Sequence, residues 1–184
     1  MSAEAVVAVT ELYAPEFFVG RSETVTRSAM VVVPIVRDLL APQSVLDLGC
    51  GQGEWLDAFG LEDARGIDIA APFQHMRRDL TDPLYLGRTF DLVVCLEVAE
   101  HLPVEAADTL VDTIVRHGRT VMFSAAVPGQ EGKGHVNCQP HEYWHEKFRE
   151  RGYAVNDSIR HLIGEAHAVS PWYRNNIFLY IRDS

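Results

Sequence analysis

The sequence predicts an α/β fold in which helices cover both faces of a mostly parallel sheet. Short apolar runs, several of which end at glycines or acidic residues, alternate with stretches whose apolar residues recur at helical spacing. The chain has 184 residues, of which 47% are hydrophobic and 23% charged, a balance typical of a globular domain large enough to bury a core. We therefore expect a single domain with a doubly wound sheet.

The predicted elements follow one another in a regular order. The first helix is expected at Ser22–Leu40, with Pro34 kinking or breaking it. Strands are expected at residues 44–48, 64–69, 90–96, 119–125, 153–159 and 177–181, and further helices at residues 54–59, 103–117 and 140–151. In such sheets ligands bind beyond the carboxyl ends of the strands, which is where the polar and glycine-rich motifs of this chain fall.

Charge and cysteine content restrict the partners that we expect. The net charge of -10 makes the surface repel phosphates on average, so we expect neither a nucleic acid partner nor an anionic membrane. Three widely spaced cysteines without a CxxC pair favour reduced thiols. No apolar run approaches the roughly 18 residues of a membrane span, and the first ten residues carry acids where a signal peptide carries bases. We expect a cytoplasmic protein.

A glycine-rich turn follows the first predicted strand. The sequence Asp47-Leu48-Gly49-Cys50-Gly51-Gln52-Gly53-Glu54 has the spacing G-x-G-x-G, and Glu54 stands where a dinucleotide-binding turn has its third glycine. A carboxylate at the start of the helix would repel a pyrophosphate. S-adenosylmethionine carries no phosphate, and Asp47 suits its ammonium group. The spacing therefore favours S-adenosylmethionine over a nicotinamide cofactor.

Two further acids stand at suitable distances along the chain. Asp68 lies about 20 residues beyond the turn, at the end of the second predicted strand, where a carboxylate can accept both hydroxyls of a ribose. Asp79 could accept the adenine amino group, with Leu80 against the ring. A helix cap or a surface acid is the alternative interpretation of Asp68, and a loop acid that of Asp79.

Together these residues resemble the class I S-adenosylmethionine-dependent methyltransferases. The resemblance covers residues 44–125 closely and the remainder loosely, and it includes the fourth strand and its following loop at residues 90–102. It implies a seven-stranded sheet whose last strand is antiparallel, supplied here by residues 177–181. The segment between Asp68 and Asp79 is short, so the helix usual there is expected to be reduced to a turn.

The resemblance also implies which residues contact the cofactor S-adenosyl-L-methionine and its product S-adenosyl-L-homocysteine. They belong to the glycine turn and to the ends of the second to fourth strands: Asp47, Gly49, Cys50, Gly51, Gly53, Asp68, Ile69, Asp79, Leu80, Leu96 and Glu97.

Histidines near the strand ends are the candidates for chemistry. His101 follows the fourth strand, and His135 lies in the long loop after the fifth, so either could take a proton from the methyl acceptor. Asn137, His141 and Tyr13 are the candidates for contact with the substrate. For Glu100, orientation of the His101 ring and simple solvation both remain open, and for the loop residues so does an internal hydrogen-bond network. The aromatic stretch around Tyr13 is expected to be either a lid or core.

One motif competes with this interpretation. His141-Glu142-Tyr143-Trp144-His145 matches the H-E-x-x-H pattern of zinc peptidases. With eight histidines in the chain a chance match is plausible, no downstream pattern marks a third ligand, and the motif begins directly after Pro140. We expect no metal site in this chain, either at this motif or among His135, Cys138, His141 and His145. The remaining alternatives are a catalytically inactive S-adenosylmethionine-binding partner subunit and a zinc-dependent hydrolase.

The sequence thus predicts a methyltransferase that acts on an oxygen or nitrogen atom of a small molecule, such as a secondary metabolite or a sugar-like compound. We expect one domain over residues 1–184, with an N-terminal helical or lid segment at 1–43, a cofactor-binding core at 44–125 and a substrate-side loop, helix and last strands at 126–184. Its expected oligomeric state is a monomer or homodimer.

Overall fold

A computed structural model describes residues 21–70 and 74–182 of the chain. Its seven strands are β1 (Ser44–Leu48), β2 (Asp63–Asp68), β3 (Met76–Arg77), β4 (Leu92–Leu96), β5 (Thr120–Ser124), β6 (Tyr153–Asn156) and β7 (Phe178–Arg182). Its α-helices are α1 (Ser22–Leu40), α2 (Glu54–Phe59), α3 (Ala107–His117), α4 (His141–Arg149), α5 (Ser158–Ile163) and α6 (Pro171–Asn176). Two short 3₁₀ turns lie at Ala99–His101 and Val104–Ala106, before α3.

The strands form one sheet in the order β3-β2-β1-β4-β5-β7-β6. Neighbours from β3 to β5 pair in parallel, whereas β7 runs antiparallel to both β5 and β6. The chain moves outward from β1 through β2 to β3 and then returns to β4 on the other side of β1. This reversal opens a crevice at the carboxyl ends of β1 and β4, the position at which α/β sheets bind ligands. The predicted seven-stranded α/β fold is confirmed.

Apolar side chains pack on both faces of the sheet, which explains why its central strands are continuous apolar runs. All five residues of β1 and of β4 are buried. One cluster lies beneath α3 and α4 and includes Leu110, Ile114 and Phe148; the other lies beneath α1, α2, α5 and α6 and includes Val32. No described helix is long and apolar enough to cross a membrane.

The structure differs from the predicted elements mainly near the end of the chain. The predicted strand at residues 153–159 ends at Asn156, whose side-chain oxygen accepts a hydrogen bond from the backbone N–H of Ser158, and Ile159 lies in α5 instead. Pro34 neither ends nor interrupts α1. The sequence also gave no indication of β3 or α6, because two and six residues are too few for a periodic pattern.

Candidate functional site

A cavity of about 470 Å³ opens at the carboxyl ends of β1, β2, β4 and β5. Its size suits a small organic ligand. Of the residues predicted to act at a site, it is lined by Asp47, Gly49, Cys50, Gly51, Asp68, Ile69, Asp79, Leu80, Leu96, Glu97, His101 and His135. The fold therefore brings the glycine turn, the three acids and both candidate catalytic histidines to one cavity.

The glycine turn fits tightly against the loop after β4. The backbone N–H groups of Gly49 and Cys50 both donate to the carbonyl of Ile67, which fixes the turn to the end of β2. Gly49 has φ +83°, and a Cβ placed on it would lie 2.2 Å from Cγ2 of Val98. Gly53 precedes α2 with φ +97°, and a Cβ there would lie 2.5 Å from Nε2 of His75. These two positions require glycine for both backbone conformation and space.

Asp68 holds the turn in place with its carboxylate. Its Oδ2 accepts a hydrogen bond of 3.0 Å from the N–H of Gly51, and its Oδ1 accepts one of 2.8 Å from the N–H of Ala70. Each carboxylate oxygen has a second lone pair, so these bonds leave the side chain able to accept hydrogen bonds from a ligand. Burial raises the pKa of Asp68, and the two backbone donors oppose that rise.

Asp47 is a buried acid without a hydrogen-bond partner on one oxygen. The residue is only 2% exposed, and its Oδ2 accepts no hydrogen bond within the described residues although the side chain lines the cavity. Burial, followed by the nearby charges of Asp68 and Glu54, raises its pKa well above the ordinary value. A cationic ligand group would stabilise the ionised form. This carboxylate therefore fits the ammonium group of S-adenosylmethionine.

Asp79 and Leu80 line the cavity near Asp68. Leu80 is buried, and Asp79 Oδ1 accepts hydrogen bonds from the N–H and hydroxyl of Thr81, an arrangement that fixes the local turn. The described residues between Asp68 and β3 form a turn rather than a helix, consistent with the short segment in the sequence. An apolar surface beside a carboxylate is the arrangement that we expected for an adenine ring.

The opposite side of the cavity begins with an acid in an unusual backbone conformation. Glu97 has φ +54°, a conformation that costs a non-glycine residue on the order of 1 to 3 kcal/mol. Its N–H donates to both the carbonyl and the hydroxyl oxygen of Ser124, at 3.0 and 3.1 Å. One carboxylate oxygen accepts a hydrogen bond of 3.0 Å from Gln130, whereas Oε1 has no partner among the described residues. The bonds to β5 thus hold a strained residue at the cavity.

Glu100 is completely buried. Neither of its carboxylate oxygens has a hydrogen-bond partner in the described part of the chain, and the residue lines the cavity. Burial and the adjacent Glu97 charge raise its pKa well above the ordinary value. Of the two alternatives left open for this residue, simple solvation is therefore wrong. A cation bound beside Glu100 and the half-buried Glu97 would stabilise their ionised forms, which burial disfavours.

The two candidate catalytic histidines meet at this side. Their rings lie edge to face, with centroids 4.9 Å apart. Nδ1 of His101 is 3.2 Å from the carbonyl of Gly134, and Nδ1 of His135 is 3.0 Å from the carbonyl of Gln130. A carbonyl can only accept, so each ring carries its proton on Nδ1 and, when neutral, has a lone pair on Nε2. Burial lowers the pKa of His101 to about 4, which keeps that ring neutral near pH 7.

The remaining predicted site residues lie elsewhere. Asn137 is 3% exposed and does not line the cavity; its amide donates to the carbonyl of Ala99, and its Oδ1 accepts from Gln139, so it fastens the loop after β5 to the loop after β4. His141 also lies outside the cavity lining, with Nε2 3.1 Å from Oδ1 of Asn176. Gly53 supports the turn from outside the lining. Tyr13 lies outside the described residues.

The H-E-x-x-H motif occupies the first turns of α4. His141 and His145 bind Asn176 and the hydroxyl of Tyr180 respectively, and Glu142 is exposed. Among the described residues, the group of three or more potential metal ligands is Glu100, His101 and His135, which includes neither histidine of the motif. Within residues 21–70 and 74–182, His141 and His145 therefore have no third ligand placed beside them.

The sequence did not indicate several residues that shape this side of the cavity. The side-chain amide of Asn176 donates to Oε1 of Gln130, and the amide nitrogen of Gln130 donates to Glu97. Because Asn176 also bonds to His141, a chain of hydrogen bonds connects His141 to the cavity. A Cβ on Gly132 would lie 2.1 Å from Nε2 of His135, so this glycine provides the space for the ring. Trp172 and Tyr173 of α6 also line the cavity. Neither motif nor spacing identifies such residues, because their positions depend on tertiary packing.

Comparisons with known proteins agree with this geometry. Residues 27–123 match the family model described as a methyltransferase domain, whereas no curated protein matches the chain. The sugar N-methyltransferase KedS8 from Streptoalloteichus sp ATCC 53650 is 19% identical, with 91% of this chain and 92% of that chain covered and a TM-score of 0.67.

Two other solved structures share the fold. Magnesium protoporphyrin IX methyltransferase (ChlM) from Synechocystis PCC 6803, with bound S-adenosylhomocysteine, is 21% identical over 90% of this chain and 84% of that chain, with a TM-score of 0.62. The small RNA methyltransferase HEN1 is 17% identical over 83% of this chain and 25% of that chain, with a TM-score of 0.59. The family model covers more than half of the chain, which therefore belongs to the class I S-adenosylmethionine-dependent methyltransferases.

Proposed function

We propose that this methyltransferase transfers the methyl group to an oxygen or nitrogen atom of a small molecule with sugar-like hydroxyl or amino groups. The observation that carries the proposal is one cavity with two different sides: the glycine turn with Asp47 and Asp68 on one, and Glu97, Glu100, His101 and His135 on the other. The first side suits the cofactor, and the second leaves polar groups for an acceptor. The acidic lining and the net charge of -10 both disfavour a phosphate-rich polymer.

In this proposal each cofactor group has a partner. Asp47 binds the ammonium group, Asp68 accepts the ribose hydroxyls, and Asp79 with Leu80 contacts the adenine. The glycine turn allows the cofactor to approach the backbone closely. Asp47 supports this assignment most directly, because a positive group would stabilise the ionised form of its buried, unpartnered carboxyl group.

S-adenosylmethionine supplies an activated methyl group on a sulfonium. The protein's task is to hold the acceptor atom about 3 to 3.5 Å from the methyl carbon and to exclude water. His101 and His135 lie on the acceptor side, and a neutral imidazole can receive the proton that an acceptor hydroxyl loses. With a pKa of about 4, His101 is a weak base. We therefore assign proton removal to His135 and positioning of the acceptor to His101.

Asn137 and His141 enter the proposal as indirect contributors to substrate binding. Asn137 holds the loop that carries His135, and His141 supports Gln130 through Asn176. Tyr13, which lies outside the described residues, is proposed as a substrate contact from the sequence alone. The alternative of an inactive cofactor-binding subunit makes a different prediction, namely cofactor binding without turnover of any acceptor.

Two measurements in sequence test the proposal. Calorimetry with S-adenosylhomocysteine and NAD should show binding of the first and not of the second. A screen with radiolabelled methyl donor should then compare amino sugars, sugar and phenolic alcohols, nucleosides and short RNA. Methylation of a sugar or other small alcohol or amine supports the proposal. Methylation of RNA alone, or cofactor binding with no labelled product from any acceptor, would contradict it.

A further inference from the structure

We propose that Glu100, His101 and His135 bind a divalent first-row transition-metal ion on the acceptor side of the cavity. One ligand atom from each of these residues lies within 4.8 Å of those of the other two. The three residues come from two loops, one after β4 and one after β5, so the fold rather than the local sequence brings them together. Small side-chain movements would bring atoms at this separation to bonding distance of one ion.

The histidines are already oriented as metal ligands usually are. Each ring donates from Nδ1 to a backbone carbonyl, His101 to Gly134 and His135 to Gln130. Metal-binding histidines almost always make such a bond with the nitrogen that does not bind the ion, because it fixes the ring and its tautomer. Both lone pairs are therefore on Nε2. The absence of a side chain at Gly132 leaves space for the His135 ring in this orientation.

Carboxylate oxygens without hydrogen-bond partners provide the second, independent observation. Glu100 is 0% exposed, lines the cavity and has two oxygens without a hydrogen-bond partner in the described residues. Oε1 of the neighbouring Glu97 is also a buried atom without a hydrogen-bond partner in the described residues. A buried polar atom without a partner destabilises the folded protein, and more strongly if it is charged. The lining of this cavity has basic side chains at Arg21 and Arg78. Within the described residues Arg78 forms no ion pair with Glu97 or Glu100.

The set of ligands indicates the class of ion. Two imidazoles and a carboxylate suit Mn²⁺, Fe²⁺, Co²⁺ or Zn²⁺ better than Ca²⁺, which prefers oxygen atoms alone. Three protein ligands leave positions open for a water molecule and for a substrate oxygen. The additional negative charge of Glu97 favours a cation over a neutral ligand. The site differs from the H-E-x-x-H motif, where the sequence suggested the possibility of zinc.

Such an ion would serve methylation of a hydroxyl. It would lower the pKa of an acceptor hydroxyl bound beside it, so that the proton passes to solvent. The acceptor oxygen then forms its bond to the methyl carbon as the carbon–sulfur bond breaks, and the sulfur leaves as the neutral thioether of S-adenosylhomocysteine. In the loaded enzyme His101 and His135 are ligands, and the ion replaces His135 in promoting proton loss. This step rests on the proposed function, whereas binding of the ion does not.

Cobalt provides a direct measurement of binding. Wild-type protein treated with EDTA and then dialysed should take up one Co²⁺ per chain, with visible absorption bands that report nitrogen and oxygen ligands. Glu100→Gln and His135→Asn should each reduce the affinity at least tenfold. The matched control is His161→Ala, because that histidine is on the surface with 79% of its side chain exposed. Glu100→Gln keeps the size of the buried side chain, and a binding curve for S-adenosylhomocysteine reports whether each variant is folded.

The outcomes separate the two proposals. No stoichiometric Co²⁺ or Mn²⁺ in the wild type, or undiminished binding in Glu100→Gln and His135→Asn, would overturn the metal site and leave the methyltransferase proposal intact. Loss of the ion in His145→Ala but not in His135→Asn would place it on α4 and would equally overturn the proposal. Failure to methylate any small molecule while Co²⁺ binds as expected would contradict the proposed function alone.

Discussion

The two sides of the cavity are built in different ways. At the glycine turn, backbone groups are bonded to each other and to Asp68, and glycine is required where Gly49 meets Val98. On the acceptor side, the strained Glu97 and the buried Glu100 leave carboxylate oxygens without partners. Apart from Asp47, whose Oδ2 is buried without a partner in the described residues, the first side is preorganised before any ligand arrives. The second holds polar groups that become favourable only when a ligand binds, which is where an enzyme's chemistry is usually found.

The largest expected effect is on the acceptor side. His135→Ala should lower kcat by about 100-fold, the usual contribution of a general base or of an equivalent aid to proton loss. The affinity for S-adenosylhomocysteine should stay within a factor of two (roughly 0.4 kcal/mol). Single-turnover kinetics and calorimetry measure the two quantities, with His161→Ala as the control. A raised KM with unchanged kcat would mean that the ring only orients the substrate.

The next effect tests the cofactor side. Asp68→Ala should weaken binding of S-adenosylhomocysteine by about 1 to 3 kcal/mol, because it removes a charged acceptor and two bonds that hold the turn. Calorimetry measures this change. Asp68→Asn is the matched control, since it keeps one oxygen acceptor and should lose less. If both variants bind S-adenosylhomocysteine as tightly as the wild type, the carboxylate of Asp68 does not contact the cofactor and only accepts backbone hydrogen bonds.

A smaller effect is expected for Asp47→Asn, which should stabilise the folded protein while it weakens cofactor binding. Its raised pKa means that ionisation opposes folding, so the contribution of this group to stability is largest at low pH and is lost as pH rises through the raised pKa. Asp47→Asn should therefore increase the free energy of unfolding at pH 8, on the order of 1 kcal/mol, and the gain should disappear toward pH 4. Urea unfolding at both pH values checks this.

Asp47→Asn should also bind S-adenosylmethionine more weakly than the wild type, because the neutral amide cannot form an ion pair with the ammonium group. Asp91→Asn is the control variant, because the carboxylate of Asp91, unlike Oδ2 of Asp47, accepts hydrogen bonds from the N–H groups of Gln43 and Ser44. That change should destabilise the protein at pH 8. A stabilised Asp47→Asn variant with undiminished cofactor affinity would remove Asp47 from the site.

The smallest effect concerns His145 in the H-E-x-x-H motif. Its Nδ1 lies 2.7 Å from the hydroxyl of Tyr180, so His145→Ala should cost about 0.5 to 1.5 kcal/mol of stability, the value of one hydrogen bond. Neither kcat nor cofactor affinity should change by more than about twofold, measured below the midpoint of thermal unfolding. A loss of turnover comparable to that of His135→Ala would show that α4 belongs to the catalytic centre.

The sequence predicted more of the cavity lining at the glycine turn than on the side of Glu97 and Glu100. Residues 47–53 are contiguous, and the fold requires their glycines locally, so pattern and structure agree. Asp68 lies at the end of a strand that the sequence predicted, whereas Asp79 and Leu80 were identified through the family resemblance, because the short β3 before them was not predicted. The fold itself was predictable for the same reason, since apolar runs such as Ser44–Leu48 and Leu92–Leu96 identify buried strands without further information.

The acceptor side was predicted only in part. His101 and His135 were identified as candidates from their place after strands, but nothing in the sequence shows that their rings lie 4.9 Å apart. Nothing in the sequence distinguishes Glu100 from a surface acid, whereas the structure shows that it is completely buried. Gln130 and Asn176 are 46 residues apart and meet only because β7 brings α6 back to β5. Such contacts arise from tertiary packing, which periodicity and motif spacing do not describe.

The placement of β7 has a consequence for how this protein is made on the ribosome. β7 follows β6 in the chain but lies between β5 and β6 in the sheet, so β6 has no neighbour to pair with until β7 has emerged from the exit tunnel. Until then β5 also presents an unpaired edge, which can pair with another chain and promote aggregation. Asn176, which supports Gln130, precedes β7 by only two residues. The side of the cavity that holds Glu97 and Gln130 is therefore completed only after α6 and β7 have been translated, later than the glycine turn.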